Sequence, residues 1–284
     1  MEYVTFSTTG NTQDFGDLQA LRYGHTGFSS PTRGIYAGGY LTPGQTATID
    51  YFTIATLGNS LDFGDLTTNN GYCGSVTNSI RGAVTINDAP NYTNALEFIT
   101  IATTGDAQDF GDLVDPQSLF AGASSSTRGV FGGGRNNTPS SNTLYNTMQF
   151  ITIATTGNAQ DFGDLQAIRY GHTGFSSPTR GIFAGGYLTP GQTTSIDFFT
   201  IATLGNSEDF GDLSTAPGYG GSVTNSIRGI ITCGDAPNYY NILEFITIAT
   251  QGDAKDFGDT DPSGSGKGQG DFPSCMSDSH GGVA

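Results

Sequence analysis

Four groups of residues in this 284-residue sequence carry enough chemistry to build a site. The first is twelve aspartates in a recurring Asp-Phe-Gly-Asp phrase, running from Asp14 and Asp17 to Asp256 and Asp259. Carboxylates of this kind suit calcium, but six to eight oxygens must converge from a compact loop, and neither EF-hand nor nonapeptide spacing is present. Asp17, Asp65, Asp112, Asp164, Asp212 and Asp259 are therefore expected to bond backbone amides at a strand end. The letters DFG also occur in kinases, but the glycine-rich loop, strand lysine and HRD phrase that give them meaning there are missing.

The second group is five of the eight arginines, Arg33, Arg81, Arg128, Arg180 and Arg228, each 18 residues after the phenylalanine of a DFGD phrase. An acid recurs upstream of each phrase at Glu2, Asp50, Glu97, Asp197 and Glu244, with Gln149 as the exception. A guanidinium has enough donors to hold such a carboxylate and backbone carbonyls together, which predicts a structural clamp, not an anion-binding ring. The third group, His25, His172 and His280 with Cys73, Cys233 and Cys275, offers no His-x-His or HExxH spacing and no repeated disulfide framework. No metal or cofactor is expected, and no triad, paired catalytic carboxylates or phosphate loop stands out, so the chain reads as non-enzymatic.

The fourth group is polar and aromatic residues in variable loops. Tyr40 and Gln45, Asn91 and Tyr92, Tyr187 and Gln192, and Asn238 and Tyr239 could stack on sugar rings and bond their hydroxyls. These are the candidate ligand-binding residues.

All four groups are spaced by one repeat. The phrase is written TTGNTQDFGDL at Thr8–Leu18 and recurs with phenylalanines at Phe63, Phe110, Phe162, Phe210 and Phe257, at steps of 48, 47, 52, 48 and 47 residues. Within one unit, RYGHTGFSS, TRGIYAGGY, TIDYFTIAT and SLDFGDL are short β-prone runs separated by glycine, proline or asparagine, giving four strands, a to d. Four short antiparallel strands in such a unit, repeated about six times, predict a β-propeller. A larger period overlies this one. Phe15 and Phe162, Phe63 and Phe210, and Phe110 and Phe257 are each 147 residues apart, so a triple unit has been copied once.

Composition agrees with a turn-rich β-protein: 43 glycines, 13% charged residues and no apolar run long enough to span a bilayer. The net charge of −16 argues against nucleic acid and anionic membranes as partners. The first ten residues, MEYVTFSTTG, have neither the basic nor the apolar region of a secretory signal.

The glycine runs after strand b, at Gly38-Gly39, Gly132-Gly133-Gly134 and Gly185-Gly186, together with an aromatic residue early in strand c, resemble those of kelch and galactose-oxidase-like propellers. Units two and five depart from this, reading Asn87-Asp88 and Gly234-Asp235, and tryptophan is absent. Repeats worded ITIATTGNAxDFGDL are also similar to those of virion proteins of tailed bacteriophages, especially marine ones.

Aligning the ends gives the expected architecture. Met1–Thr5 matches a strand c and His280–Ala284 a strand b, with a loose insertion at Ser263–Gly268. The expectation is an all-β, single-domain, six-bladed propeller over 1–284, its last blade shared by residues 1–18 and 260–284. N-terminal strands c and d would pair with C-terminal strands a and b, removing exposed edges. The phage resemblance implies a structural or attachment module in a tail, fibre or capsid decoration. Such a module is made in the host cytoplasm, displayed in many copies on the virion, and contacts other virion proteins. The alternatives are a glycan-binding lectin, with host surface glycans as ligands, and a propeller enzyme.

Overall fold

The computed structural model describes residues 1–86, 93–138, 141–232, 234, 241–260 and 274–282. Among these residues there is no helix, and five four-stranded antiparallel sheets are arranged as propeller blades. Blade I comprises strands a to d at Thr26–Ser29, Arg33–Ala37, Thr46–Thr53 and Leu61–Asn70. Blade II has them at Ser75–Thr77, Arg81–Ile86, Ala95–Thr100 and Gln108–Asp112, and blade III at Ala121–Ser124, Arg128–Gly132, Thr147–Thr152 and Gln160–Asp164. Blade IV uses Thr173–Ser176, Arg180–Ala184, Ser195–Thr200 and Glu208–Asp212, and blade V Ser222–Thr224, Arg228–Thr232, Ile242–Thr247 and Lys255–Asp259.

Alternation within each strand sends one set of side chains to each neighbouring blade. The cores therefore lie between blades. Phe28, Ile35 and Ile49 of blade I meet Val84 and Ile99 of blade II, and Val130, Met148 and Phe162 of blade III meet Phe183 and Phe199 of blade IV. Strand d bulges against strand c in every blade, next to the DFGD glycine.

That bulge explains why the phrase is repeated so faithfully. The glycine of each DFGD backs onto the glycine of the next unit's Thr-x-Gly turn so closely that a side chain would collide with backbone. A Cβ on Gly16 would lie 2.3 Å from the Gly58 carbonyl oxygen, and the corresponding gaps are 2.5 Å for Gly64 on Gly105 and 2.4 Å for Gly163 on Gly205. Close approach permits two bonds per step: Gly58 and Ser60 donate to the carbonyls of Phe15 and Asp17, Gly105 and Ala107 to those of Phe63 and Asp65, and so on through the chain. The same two bonds run from Gly10 and Thr12 to the carbonyls of Phe257 and Asp259.

The expected sixth four-stranded blade is not what the described residues form. Residues 1–18 contribute only a two-stranded ribbon, Glu2–Tyr3 with Gln13–Asp14, between blades V and I. Phe15 packs with Tyr36 and Phe52 of blade I, while Val4 and Phe6 pack with Ile230, Leu243 and Phe257 of blade V. Nor do residues 280–282 run as a strand b. Where the blades place an apolar residue directly after Arg-Gly, this segment has Gly282 after His280-Gly281, so that position offers no side chain to bury between sheets. It turns instead into the axis, where Gly281 donates to the Ser176 carbonyl of blade IV and the His280 ring nitrogen Nε2 lies 2.9 Å from the Ser29 carbonyl of blade I. A Cβ on Gly282 would lie 2.0 Å from the Thr77 carbonyl oxygen of blade II. Val283, Ala284 and the insertion at Ser263–Gly268 lie outside the described residues.

Candidate functional site

The repeated arginines reach from one blade to the next and bond backbone carbonyls there. Arg33 donates to Ile101 and Ala102, Arg81 to Ala154, Arg128 to Ile201, Arg180 to Ile248 and Arg228 to Phe6, at 2.8–3.1 Å. Each reaches the end of strand c in the following unit. Each guanidinium also lies 4.4–4.7 Å from the centre of an aromatic ring in its own strand c: Tyr51, Phe98, Phe150, Phe198 or Phe245. None of these arginines lines the central cavity.

The strand c acids are not the partners of these arginines, which corrects the pairing read from the sequence. Asp50 pairs with Arg22 and Asp197 with Arg169, each at 2.9 Å and almost wholly buried. Gln149, the exception, bonds Gln117 instead. Arg22, Gln117 and Arg169 all stand five residues after the second aspartate of a DFGD phrase, and that spacing is the signal the sequence reading missed. Glu97 and Glu244 accept backbone N–H bonds from Thr67 and Ser214, the first residues after their neighbouring strand d phrases.

The second aspartates of DFGD also differ from expectation in detail. Their own amides are the donors, and the acceptor is the Asn or Asp after the turn glycine of the next unit. Asp17 bonds Asn59, Asp65 bonds Asp106, Asp112 bonds Asn158, Asp164 bonds Asn206, Asp212 bonds Asp253, and Asp259 bonds Asn11, at 2.9–3.1 Å. Among the described residues no group of three or more His, Cys, Asp or Glu side chains is placed to hold a metal ion.

With these residues committed to the frame, the remaining chemistry lies on the face where strand a begins and strand b ends. A collar of backbone bonds surrounds the mouth of the axis: Tyr72 donates to Gly24, Leu119 to Tyr72, Gly171 to Leu119, and Tyr219 to Gly171. All five residues have positive φ, between 51° and 63°. Glycine adopts this freely, but Tyr72, Leu119 and Tyr219 hold it at a cost of order 1 kcal/mol or more each. Behind the collar is a cavity of about 190 Å3 lined by strand a of all five blades, by Ser274–Ser277 and by His280. Its hydroxyls are bonded to one another, Thr26 to Ser75 at 2.7 Å and Thr173 to Ser222 at 2.6 Å. His25 and His172 sit beside it. Burial drives the pKa of His25 down to about 3, with the Arg22 charge adding, and holds His172 well below its usual range, with Arg169 adding.

Two tyrosine trios flank the collar. Tyr23, Tyr40 and Tyr72 form one, and Tyr170, Tyr187 and Tyr219 form its copy 147 residues on. Tyr40 and Tyr187, expected to offer ring faces to a ligand, stack on Tyr23 and Tyr170 at 5.3 Å and tilt against Tyr72 and Tyr219 at 4.9 Å. Gln45 donates to the Tyr40 hydroxyl at 2.9 Å, and Gln192 faces Tyr187 across a two-stranded ribbon. The structure thus brings these four expected residues to one face, in two places. Asn91, Tyr92, Asn238 and Tyr239 lie outside the described residues. Tyr23, Tyr72, Tyr170 and Tyr219 were missed, because they sit in the d–a connections and not in the variable loops.

No protein-family model matches this chain, and no curated protein matches it.

Proposed function

We propose that this chain is a non-enzymatic interaction module of a virion, a rigid wheel that docks other proteins through its tyrosine-bearing face. The observation that carries this reading is the pair of tyrosine trios, two copies of one aromatic surface held on the same side of a frame by strained collar residues. Stored strain of this kind points to function. The virion setting rests on the likeness of the repeats to those of tailed-phage particle proteins. Multicopy display on a particle multiplies weak single contacts.

The wheel is proposed to be closed, with six sectors, the sixth made by residues 1–18 together with the axial segment 274–282. Support comes from the inter-unit bonds, which are the same between Phe257 and Gly10 as at the other five steps, and from the Arg228 clamp on Phe6.

The test is fractionation of the encoding phage's lysate on a density gradient, followed by cross-linking of the purified particles. The chain should band with intact virions and cross-link to neighbouring particle proteins from its tyrosine face. Recovery in the soluble fraction alone, or sharp competable binding to an oligosaccharide on a glycan array without particle contacts, overturns this function.

A further inference from the structure

The two tyrosine trios have nearly the same geometry. Tyr23 and Tyr40 stack at 5.3 Å and 14°, and Tyr170 and Tyr187 at 5.3 Å and 16°. The third ring meets the second at 4.9 Å in both, tilted 44° in one and 43° in the other. What differs is the outer ring's environment. Over Tyr170 lies the guanidinium of Arg135, 4.6 Å from the ring centre. Arg135 opens the b–c ribbon of blade III, Arg135–Thr138 with Ser141–Leu144, and is fixed there by two backbone bonds with Ser118, both 2.9 Å. Over Tyr23 the described residues place no cation, and this tyrosine is 50% exposed. Leu21, two residues away, is 99% exposed.

In one copy of the surface the outer ring is therefore covered by an arginine side chain, and in the other the outer ring, Tyr23, is half exposed. We propose that Tyr23 is a docking site for an arginine of a partner protein, its guanidinium lying on the ring as that of Arg135 lies on Tyr170. A planar, weakly hydrated guanidinium stacks on an aromatic face better than a lysine ammonium does. Leu21 offers an apolar surface for the methylene stem of such an arginine or its neighbour. The net charge of −16 draws basic segments toward the molecule and raises their encounter rate. The proposal rests on the reading of this face as the docking side and names the chemistry of what docks there.

The experiment is a titration of protein carrying ring-labelled tyrosine with a hexaarginine peptide, followed by NMR at about 150 mM salt, where long-range attraction is screened. Hexalysine is the charge control. Tyr23 resonances should shift and saturate, with hexaarginine binding roughly five-fold or more tighter than hexalysine. Tyr23→Ala should abolish the difference between the peptides. Arg135→Ala, which uncovers Tyr170, should add a second site and double the arginine-specific stoichiometry. Equal binding of the two peptides, an unchanged preference in Tyr23→Ala, or an Arg135→Ala variant with one site overturns the proposal. A particle protein that cross-links to this face through contacts insensitive to Tyr23→Ala overturns the arginine site and leaves the docking reading standing. Absence of any contact to this face overturns both.

Discussion

Changing Asp197 to asparagine isolates the cost of one buried charge. Arg169 is 1% exposed, and its guanidinium is held by the Asp197 carboxylate at 2.9 Å and by the carbonyls of Phe183, Gly185 and Ser195 at 3.2–3.4 Å, with Nε buried and unbonded. The Asp197→Asn side chain would keep the shape and lose the charge, leaving a cation inside the blade with carbonyl dipoles alone. Removing one partner of such a pair costs about 3–5 kcal/mol. At about 2.1 cal/mol/K per residue, the unfolding entropy of a chain of this length is about 0.6 kcal/mol/K, so Tm should fall by about 5–8 °C. Blade III supplies the control, because it fills the same two positions with Gln117 and Gln149, whose side chains bond each other at 3.3 Å. The double variant Arg169→Gln/Asp197→Gln copies that neutral pair and should lie within about 1.5 kcal/mol of the parent. The assay is equilibrium urea unfolding of Asp197→Asn and, as a cycle, of the parent, Arg169→Gln, Asp197→Gln and the double variant, giving a coupling energy above about 2 kcal/mol. A single-variant cost below about 1 kcal/mol, or a double variant as unstable as the two singles summed, would refute the reasoning.

Two further outcomes follow from the same frame. His25 and His172 stay neutral in the folded chain while the unfolded chain takes up protons near pH 6.5, so stability is level above about pH 7 and falls as pH drops below 6.5. At pH 5 the loss is about 2 kcal/mol for His25, with His172 adding in the same direction, partly offset at lower pH as the carboxyl of Asp50, raised by burial, takes up its own proton. Urea unfolding at pH 7.5 and pH 5 measures it, and a His25→Gln/His172→Gln variant should show a flatter profile. Deleting residues 1–18 removes Phe15 from its cluster with Tyr36 and Phe52 and uncovers blades I and V. It should destabilise the chain by at least about 3–5 kcal/mol, the range for losing one buried phenylalanine, and cause association visible by light scattering. A truncated chain as stable and monomeric as the parent would count against the closed wheel.

The strands were legible because their alternation and punctuation recur at a fixed step. Arg33 and its four counterparts were legible as clamps because a position repeated in every unit serves the joint between units. What escaped were relations that cross the repeat boundary. The acid at Asp50 finds Arg22 through the d–a connection, and only a comparison of Arg22/Asp50, Gln117/Gln149 and Arg169/Asp197 reveals that the two positions change together. The amide of Asp17 bonds Asn59 of the following unit, which no strand pattern within a unit encodes. The path of Gly281 and Gly282 escaped because glycine carries no side chain whose alternation would mark or exclude a strand. With no side chain at Gly282 to anchor it between sheets, the backbone enters a space too tight for a Cβ.

The glycine-on-glycine contacts between units are almost wholly main chain against main chain, and the segment Gly24–Ile35 recurs without change at Gly171–Ile182. Such a seam carries little information about which half it is joining. During synthesis or refolding, the first half of one molecule can pack as well on the second half of its neighbour as on its own. Interlocked dimers should therefore accumulate when the protein is refolded concentrated and disappear when it is refolded dilute.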